Sequence, residues 1–246
     1  YRQGFNDEKG RGNLYFELER IMKEKKPSIV LLENVKNLVG HDNGRTFRVI
    51  HSSMQNLGYK IHHKVMNACE YGGIPQNRER IYVVGFLDSG TSESFEFPDK
   101  IELETTIGEI LDFDEIVDER YYYREDSYMY EDLVREMTSI ETVYQWRRKY
   151  VRENKSNLCP TLTANMGTGG HNVPLILTPH GIRKLTPMEC FMIQGYSRTF
   201  ELPESVADSH LYKQAGNSVV VPVIRRIASS IMSAINLEGP ALNPRG

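Results

Sequence analysis

The sequence predicts an α/β fold, and three observations carry that expectation. Over the first third of the 246 residues, segments with helical periodicity alternate with strand-like segments across short connections. A middle stretch, 109–182, loses the alternation. Helical patterning then returns, opened by a capping signal at Thr186.

Taken in order, residues 13–26 place Leu14, Leu18, Ile21 and Met22 on one helical face, and Pro27 stops that helix. Residues 28–35 (SIVLLENV) form a continuous apolar run, which predicts a strand covered on both faces. Phe47, Ile50, Met54 and Leu57 repeat at helical spacing, and Gly58 supplies the stop. Residues 59–65 alternate as a strand does, and 80–87 (RIYVVGFL) predict another. The middle stretch is acidic, then basic, then rich in Gly, Thr and Asn (161–172, TLTANMGTGGHN), the composition of a separate loop-rich unit inserted into the first domain. Thr186 is an N-cap with Pro187 at the first helical position and Glu189 completing a capping box, and Gly195 ends that helix. Gly216-Asn217-Ser218-Val219 then opens a last helix over 219–236, with Val223, Ile224, Ile227 and Ile231 on one face. The expected domains are 1–108, an inserted 109–182, and a return at 183–246.

Composition excludes several classes of function. At 39% hydrophobic and 26% charged, the chain is neither disordered nor a coiled-coil rod. No apolar run approaches the roughly 18 residues of a membrane span, and no secretory signal opens the sequence. Cys69, Cys159 and Cys190 form no CxxC pair, so neither a disulfide framework nor a zinc site is expected, and no other metal site is. The expectation is a soluble cytoplasmic protein. The net charge of −3 hides an asymmetry: residues 91–142 hold 17 Asp/Glu against 4 Lys/Arg, and the remainder 26 Lys/Arg against 16 Asp/Glu. Directly after the acidic block come Arg147, Arg148, Lys149, Arg152 and Lys155, interleaved with Tyr144, Trp146 and Tyr150. That mixture suits a phosphate backbone with exposed bases, and equally a solvated helix face.

Three short motifs occur in a telling order. Glu33-Asn34-Val35 ends an apolar strand, where an open α/β sheet usually places its ligand. Gln76-Asn77-Arg78-Glu79-Arg80 precedes another strand, and Gly216-Asn217-Ser218-Val219 comes near the end. Each alone has a plain reading, as a surface carboxylate, a solvated ion pair and a capped turn. Together they resemble the DNA cytosine-5 methyltransferase family. Gly4-Phe5-Asn6-Asp7 and Arg11-Gly12-Asn13-Leu14-Tyr15-Phe16 are similar to the end of its mobile active-site loop and the following helix. Tyr71-Gly72-Gly73-Ile74-Pro75 leading into Gln76–Arg80 resembles its Gln-x-Arg-x-Arg motif, and Arg183-Lys184-Leu185-Thr186-Pro187-Met188-Glu189-Cys190 its penultimate one. Thr161-Leu162-Thr163 followed by glycines resembles a target recognition domain, and the length pattern resembles the small bacterial restriction-modification enzymes.

The resemblance implies a Rossmann-like S-adenosylmethionine-dependent sheet, incomplete at its N-terminal end, with an inserted target recognition domain. It implies methylation of C5 of a flipped-out cytosine in duplex DNA. In that chemistry a cysteine thiolate adds to C6, and C5 then attacks the methyl sulfonium of S-adenosylmethionine. Glu33 is expected to protonate or hydrogen-bond N3, Arg80 to bind the base O2, and Arg78 to order the pocket. Leu14, Asn217, Ser218 and Val219 are the expected cofactor contacts, with helix N–H groups at Asn217 and Ser218 receiving the methionine carboxylate. Arg147, Arg148, Lys149 and Arg152 are expected on phosphates, and Thr161, Thr163, Asn165, Gly169, Gly170 and Asn172 on base edges.

The family's Pro-Cys-Gln tripeptide and its glycine-rich cofactor loop are not among these residues. They are expected upstream of Tyr1, on an N-terminal segment or a second subunit, and the chain alone is expected to transfer no methyl group. A cognate restriction endonuclease is an expected partner. The doubled Gly72-Gly73 stands where the family usually has one glycine. A non-catalytic DNA-binding relative and an RNA cytosine-5 methyltransferase remain the alternative readings.

Overall fold

The structure, a computed structural model, describes residues 14–147, 149–167 and 173–238. In chain order the elements are α1 (Leu14–Lys25), β1 (Ile29–Val35), α2 (Arg45–Asn56), β2 (Lys60–Asn67), α3 (Ala68–Tyr71), β3 (Gln76–Asn77), β4 (Glu79–Phe86), α4 (Ser89–Glu93) and α5 (Ile107–Ile110). They continue with α6 (Tyr130–Glu136), β5 (Tyr144–Trp146), β6 (Val151–Glu153), β7 (Cys159–Pro160), β8 (Leu175–Thr178), β9 (Gly181–Lys184), α7 (Pro187–Met192), α8 (Asp208–Asn217) and α9 (Val221–Glu238). The chain divides into two compact units. One takes in 1–66, 79–98 and 227–246, the other 67–78 and 99–226.

In the first unit β1, β4 and β2 form a sheet in the order β1-β4-β2, with β1 antiparallel to β4. Met22, Phe47, Ile50 and Met54 from α1 and α2 pack on Tyr59, Ile81 and Val83. The continuous apolar run that is buried is β4, where Ile81–Phe86 are all inaccessible. β1 is only half-buried, with Val35 50% exposed, because among the described residues it has a strand neighbour on one side only. The expected apolar face of α1 is also different. Tyr15 and Met22, seven residues apart, are the buried pair, whereas Leu14 (67%), Leu18 and Ile21 are exposed. The Tyr15 hydroxyl fixes this orientation by donating to the Ile50 carbonyl (3.1 Å) and bonding Ser53 Oγ (3.0 Å) on α2.

In the second unit the acidic-to-basic stretch contains more regular structure than its composition suggests. β6, β5, β8 and β9 form an antiparallel sheet in that order. Arg147, Lys149 and Arg152 lie on the β5–β6 hairpin rather than on a helix, and Tyr144 and Trp146 are buried against Met129, Leu133, Met137, Leu175 and Ile182. A second core joins Val143, Leu162 and Ile176 to Leu185, Cys190, Ile193 and Tyr212, so residues from 109–182 and 183–226 share one interior. α7 has the expected capping box at Thr186 and Glu189. Glu189 also makes a bidentate pair with the fully buried Arg183 of β9, at 2.8 Å for each bond.

The final motif lies elsewhere than expected. Gly216 and Asn217 end α8, Ser218 is its C-cap, and α9 begins only at Val221. Ser218, Val219 and Val220 are therefore a helix–helix junction, and the two motif residues expected at a helix N-terminus are at a C-terminus. The stretch Asp208–Asn236 is long and apolar enough by composition to match a membrane span, contrary to the expectation. It consists of two helices, α8 and α9, whose Leu211, Tyr212, Ala215, Val223 and Ile227 are buried in the protein.

Both glycines of the doubled pair are required by the backbone. A side chain on Gly72 would come within 2.8 Å of Val223 Cγ2 and 3.0 Å of the Ala68 carbonyl, and Gly73 has φ +61°.

Candidate active site and nucleic-acid face

In the first unit, Glu33 near the end of β1 and Arg80 on β4 face each other. Register pairs Glu33 with Tyr82 and Val35 with Arg80, which makes Glu33 and Arg80 diagonal neighbours on one face of the antiparallel ladder. Arg80 Nε lies 3.0 Å from Glu33 Oε1, with both side chains largely shielded from solvent. Arg80 Nη1 also donates to the Glu79 carbonyl (2.9 Å), which fixes the guanidinium plane. Beside the pair, the Val35 amide donates to Asn34 Oδ1 (2.8 Å), and Lys36 is ion-paired with Glu79. The result is a carboxylate held in one orientation by a guanidinium at the exposed end of a strand. A carboxylate so positioned can share a proton with, or accept a bond from, a heterocycle N–H.

In the second unit the residues of the Gln76–Arg78 segment act on backbone. Arg78, almost fully buried, donates from Nη1 to the Leu162 carbonyl (2.7 Å) and from Nη2 to those of Gly216 (3.2 Å) and Ser218 (2.8 Å). Gln76 Nε2 donates to the Ile193 carbonyl (2.8 Å), and its Oε1 accepts from the Leu162 amide (3.4 Å). Thr161 Oγ1 donates to the Asn77 carbonyl (2.6 Å). The Thr161-Leu162-Thr163 segment is thereby bound to the α8–α9 junction through β3. Gly216 completes the closure: a methyl group there would overlap the Thr163 carbonyl and come within 2.5 Å of the Ala164 amide nitrogen.

Asn217, Ser218 and Val219 line a cavity of about 640 Å³ with Phe191, Tyr196 and Phe200. The Phe191 and Tyr196 rings meet edge to face at 5.2 Å, and those of Tyr196 and Phe200 are tilted at 4.8 Å. The Tyr196 hydroxyl bonds Ser218 Oγ at 2.8 Å. Polar groups beside aromatic faces suit a small ligand that carries both a carboxylate and a cationic centre.

A second cavity, of about 310 Å³, is polar and brings Arg147, Arg152, Thr161 and Thr163 together with Gln145 and Asn154. Lys149 and Asn165 are exposed and do not line it. Leu14, expected against the cofactor, lies open on α1. Arg148, Gly169, Gly170 and Asn172 lie outside the described residues, as do the motif residues before Leu14. Sequence reasoning missed Gln145 and Asn154, and named Gln76 only within its motif. The first two alternate at period two with Arg147 and Arg152, a pattern that shows only when the stretch is read as strands.

All three cysteines are buried. Burial pushes the Cys159 thiol up, and Cys190 likewise, with the neighbouring Cys159 and Glu189 adding to the rise. None is placed as a thiolate nucleophile.

The chain belongs to the C-5 cytosine-specific DNA methylase family, whose model matches residues 1–233, and its class is DNA cytosine-5 methyltransferase. Among individual proteins it is 60% identical over 236 residues to the type II methyltransferase M.Bsp6I of Bacillus sp. (strain RFL6), spanning 96% of this chain and 74% of that protein. It is 40% identical to the type II methyltransferase M.HaeII of Haemophilus aegyptius (95% and 69%) and 38% identical to M.HhaI of Haemophilus parahaemolyticus (96% and 72%). The fold is that of the Entamoeba histolytica methyltransferase EhMeth, with a TM-score of 0.66 at 20% identity over 95% of this chain and 71% of that one. The S. pombe Dnmt2 methyltransferase gives 0.65 at 16% identity, over 92% and 73%.

Proposed function

We propose that this chain carries the base-binding, cofactor-binding and DNA-recognition parts of a DNA cytosine-5 methyltransferase acting in a bacterial restriction-modification system. The observation that carries the reading is the Glu33–Arg80 pair, a carboxylate oriented by a guanidinium at 3.0 Å on adjacent strands. In this reading Glu33 holds a proton at N3 of the flipped cytosine, which makes C6 electrophilic toward a thiolate. Arg80 keeps that carboxylate in place and binds the base O2. Arg78 is a positioning residue, because its guanidinium is occupied by three backbone carbonyls.

S-adenosylmethionine, when bound, supplies the electrophilic methyl group. Asn217, Ser218 and Val219 would hold it with the aromatic wall of Phe191, Tyr196 and Phe200. Because Asn217 ends α8 and Ser218 caps it, the polar contacts in this reading come from side chains and junction backbone rather than from a helix N-terminus. None of the three cysteines is placed to attack C6, so the thiolate is assigned to sequence outside these residues, an N-terminal segment or a second subunit. Residues 109–182 form the target recognition segment, with the hairpin arginines and Lys149 toward phosphates and the Thr161–Thr163 segment with Asn165 toward base edges. The enzyme would work in the bacterial cytoplasm beside a cognate endonuclease.

Tritiated methyl transfer to duplex DNA, by the chain combined with a segment carrying Pro-Cys-Gln and the cofactor loop, tests the reading. Glu33→Gln should lower the rate by about 10²–10⁴-fold while DNA binding and melting temperature stay near wild type. A variant that melts well below wild type yet transfers methyl groups at the wild-type rate makes the Glu33–Arg80 pair structural and overturns the assignment.

A further inference from the structure

The polar cavity on the β5–β6 hairpin holds a group that the proposed chemistry does not use. Strand alternation puts Gln145 and Arg147 on the same face as Arg152 and Asn154, with Gln145 directly opposite Arg152 in the register. Arg147 and Arg152 are exposed, and neither has an ion-pair partner among the described residues. Asn154 is different, being only 6% exposed. Its backbone is fully committed: the amide donates to the Val143 carbonyl (3.0 Å), and the carbonyl accepts from Thr142 Oγ1 (2.9 Å) and the Asn157 amide (3.0 Å). Its side-chain Nδ2 has no hydrogen-bond partner among the described residues. An unpaired buried donor destabilises a fold unless a ligand takes it up.

The remaining lining is Asn77, Ser156, Leu158, Pro160, Thr161 and Thr163, with no carboxylate. Two guanidiniums, an unpaired buried amide donor and no carboxylate favour acceptors on the partner. We propose, resting on the DNA reading above, that this cavity reads the O6/N7 acceptor edge of a guanine, with Arg152 at the rim on the flanking phosphate and Asn154 Nδ2 as the buried specificity-determining donor. Phosphate oxygens share that acceptor chemistry. They are ordinarily met by mobile cations at a surface, whereas an amide fixed in a wall by three backbone bonds is directional, and this favours a base edge.

The test is selection of bound sequences from a random duplex pool by the full chain, with binding of the selected duplex measured across salt and thermal melting in parallel. Asn154→Ala should reduce the preference for guanine at one position roughly 5- to 150-fold, which corresponds to about 1–3 kcal/mol for one base contact. Its salt slope should stay unchanged and its melting temperature should not fall, since no bond is lost in the free protein. Asn154→Asp, which turns the donor into an acceptor, should move the preference at that position toward cytosine, whose N4 donates. Weakening on all duplexes alike by Asn154→Ala, with the guanine preference kept, makes the cavity a phosphate site and overturns the proposal. A lowered melting temperature with unchanged preference makes Asn154 structural and also overturns it. A wild-type chain that selects a site, with the same preference kept by both variants, overturns this inference alone. A wild-type chain that retains no duplex overturns the DNA reading itself, and this inference with it.

Discussion

Arg78 is the clearest point at which the structure separates holding the site from acting in it. Replacing it with alanine leaves the buried carbonyls of Leu162 and Gly216 and the half-buried one of Ser218 without their donor. Each lost partner costs about 1–3 kcal/mol, and water entering the vacated space restores part of that, so the expected destabilisation is about 3–5 kcal/mol. Domains have roughly 5–15 kcal/mol to lose, and about 1 kcal/mol shifts the melting temperature by about 2–4 °C at this size. Arg78→Ala should therefore melt about 6–20 °C below wild type. Arg78→Lys, whose single ammonium cannot span all three carbonyls, should fall between. Thermal and urea denaturation measure the loss, and hydrogen exchange at the Leu162 amide should show that segment loosening first. An Arg78→Ala protein that melts within about 2 °C of wild type and yet transfers no methyl groups would refute the reasoning, because the guanidinium would then act on substrate.

Two further predictions rest on buried groups. Glu189→Gln strips the partner from Arg183, which has no exposed side-chain surface, and should cost about 3–5 kcal/mol, whereas replacing both residues with apolar ones should cost less than the sum of the single changes. Urea denaturation of the two single variants and the double variant decides this, and additive losses would sink it. Burial, with a smaller contribution from Tyr128, raises the Tyr123 hydroxyl to about 12 from its ordinary 10.0. The folded state keeps that proton longer than the unfolded state, so its contribution is complete below pH 10 and is lost as pH rises toward 12. Tyr123→Phe should remove roughly 1–3 kcal/mol of this alkaline loss, read as a flatter melting-temperature profile between pH 10 and 12.

What could be read in the sequence was what a local pattern decides. The α7 cap needs only Thr186, Pro187 and Glu189, and it is present as expected. The β4 run is apolar because both of its faces are covered, and its burial follows. The α1 face misled because Leu14, Leu18 and Ile21 have the right spacing, but a tyrosine hydroxyl that reaches α2 decides which side turns inward. The basic stretch misled for a related reason. Charge and aromatic content are the same on a helix and on a hairpin, and only the hairpin's alternation places Asn154 beside Arg152.

The candidate site divides in the same way. Glu33 and Arg80 lie on paired strands, so strand register alone brings them together once both strands are recognised. Arg78 is only two residues from Arg80 and carries the same charge, yet its partners lie 84, 138 and 140 residues away. No periodicity carries that information. The backbone does: Gly216 has no side chain because α8 closes on the Thr163 carbonyl, and the closure brings the Leu162, Gly216 and Ser218 carbonyls within reach of one guanidinium. The spacing of the last motif is therefore set by a close approach of two backbones rather than by a helix start. This explains how Asn217 and Ser218 can end α8 and still line the cavity proposed for the cofactor.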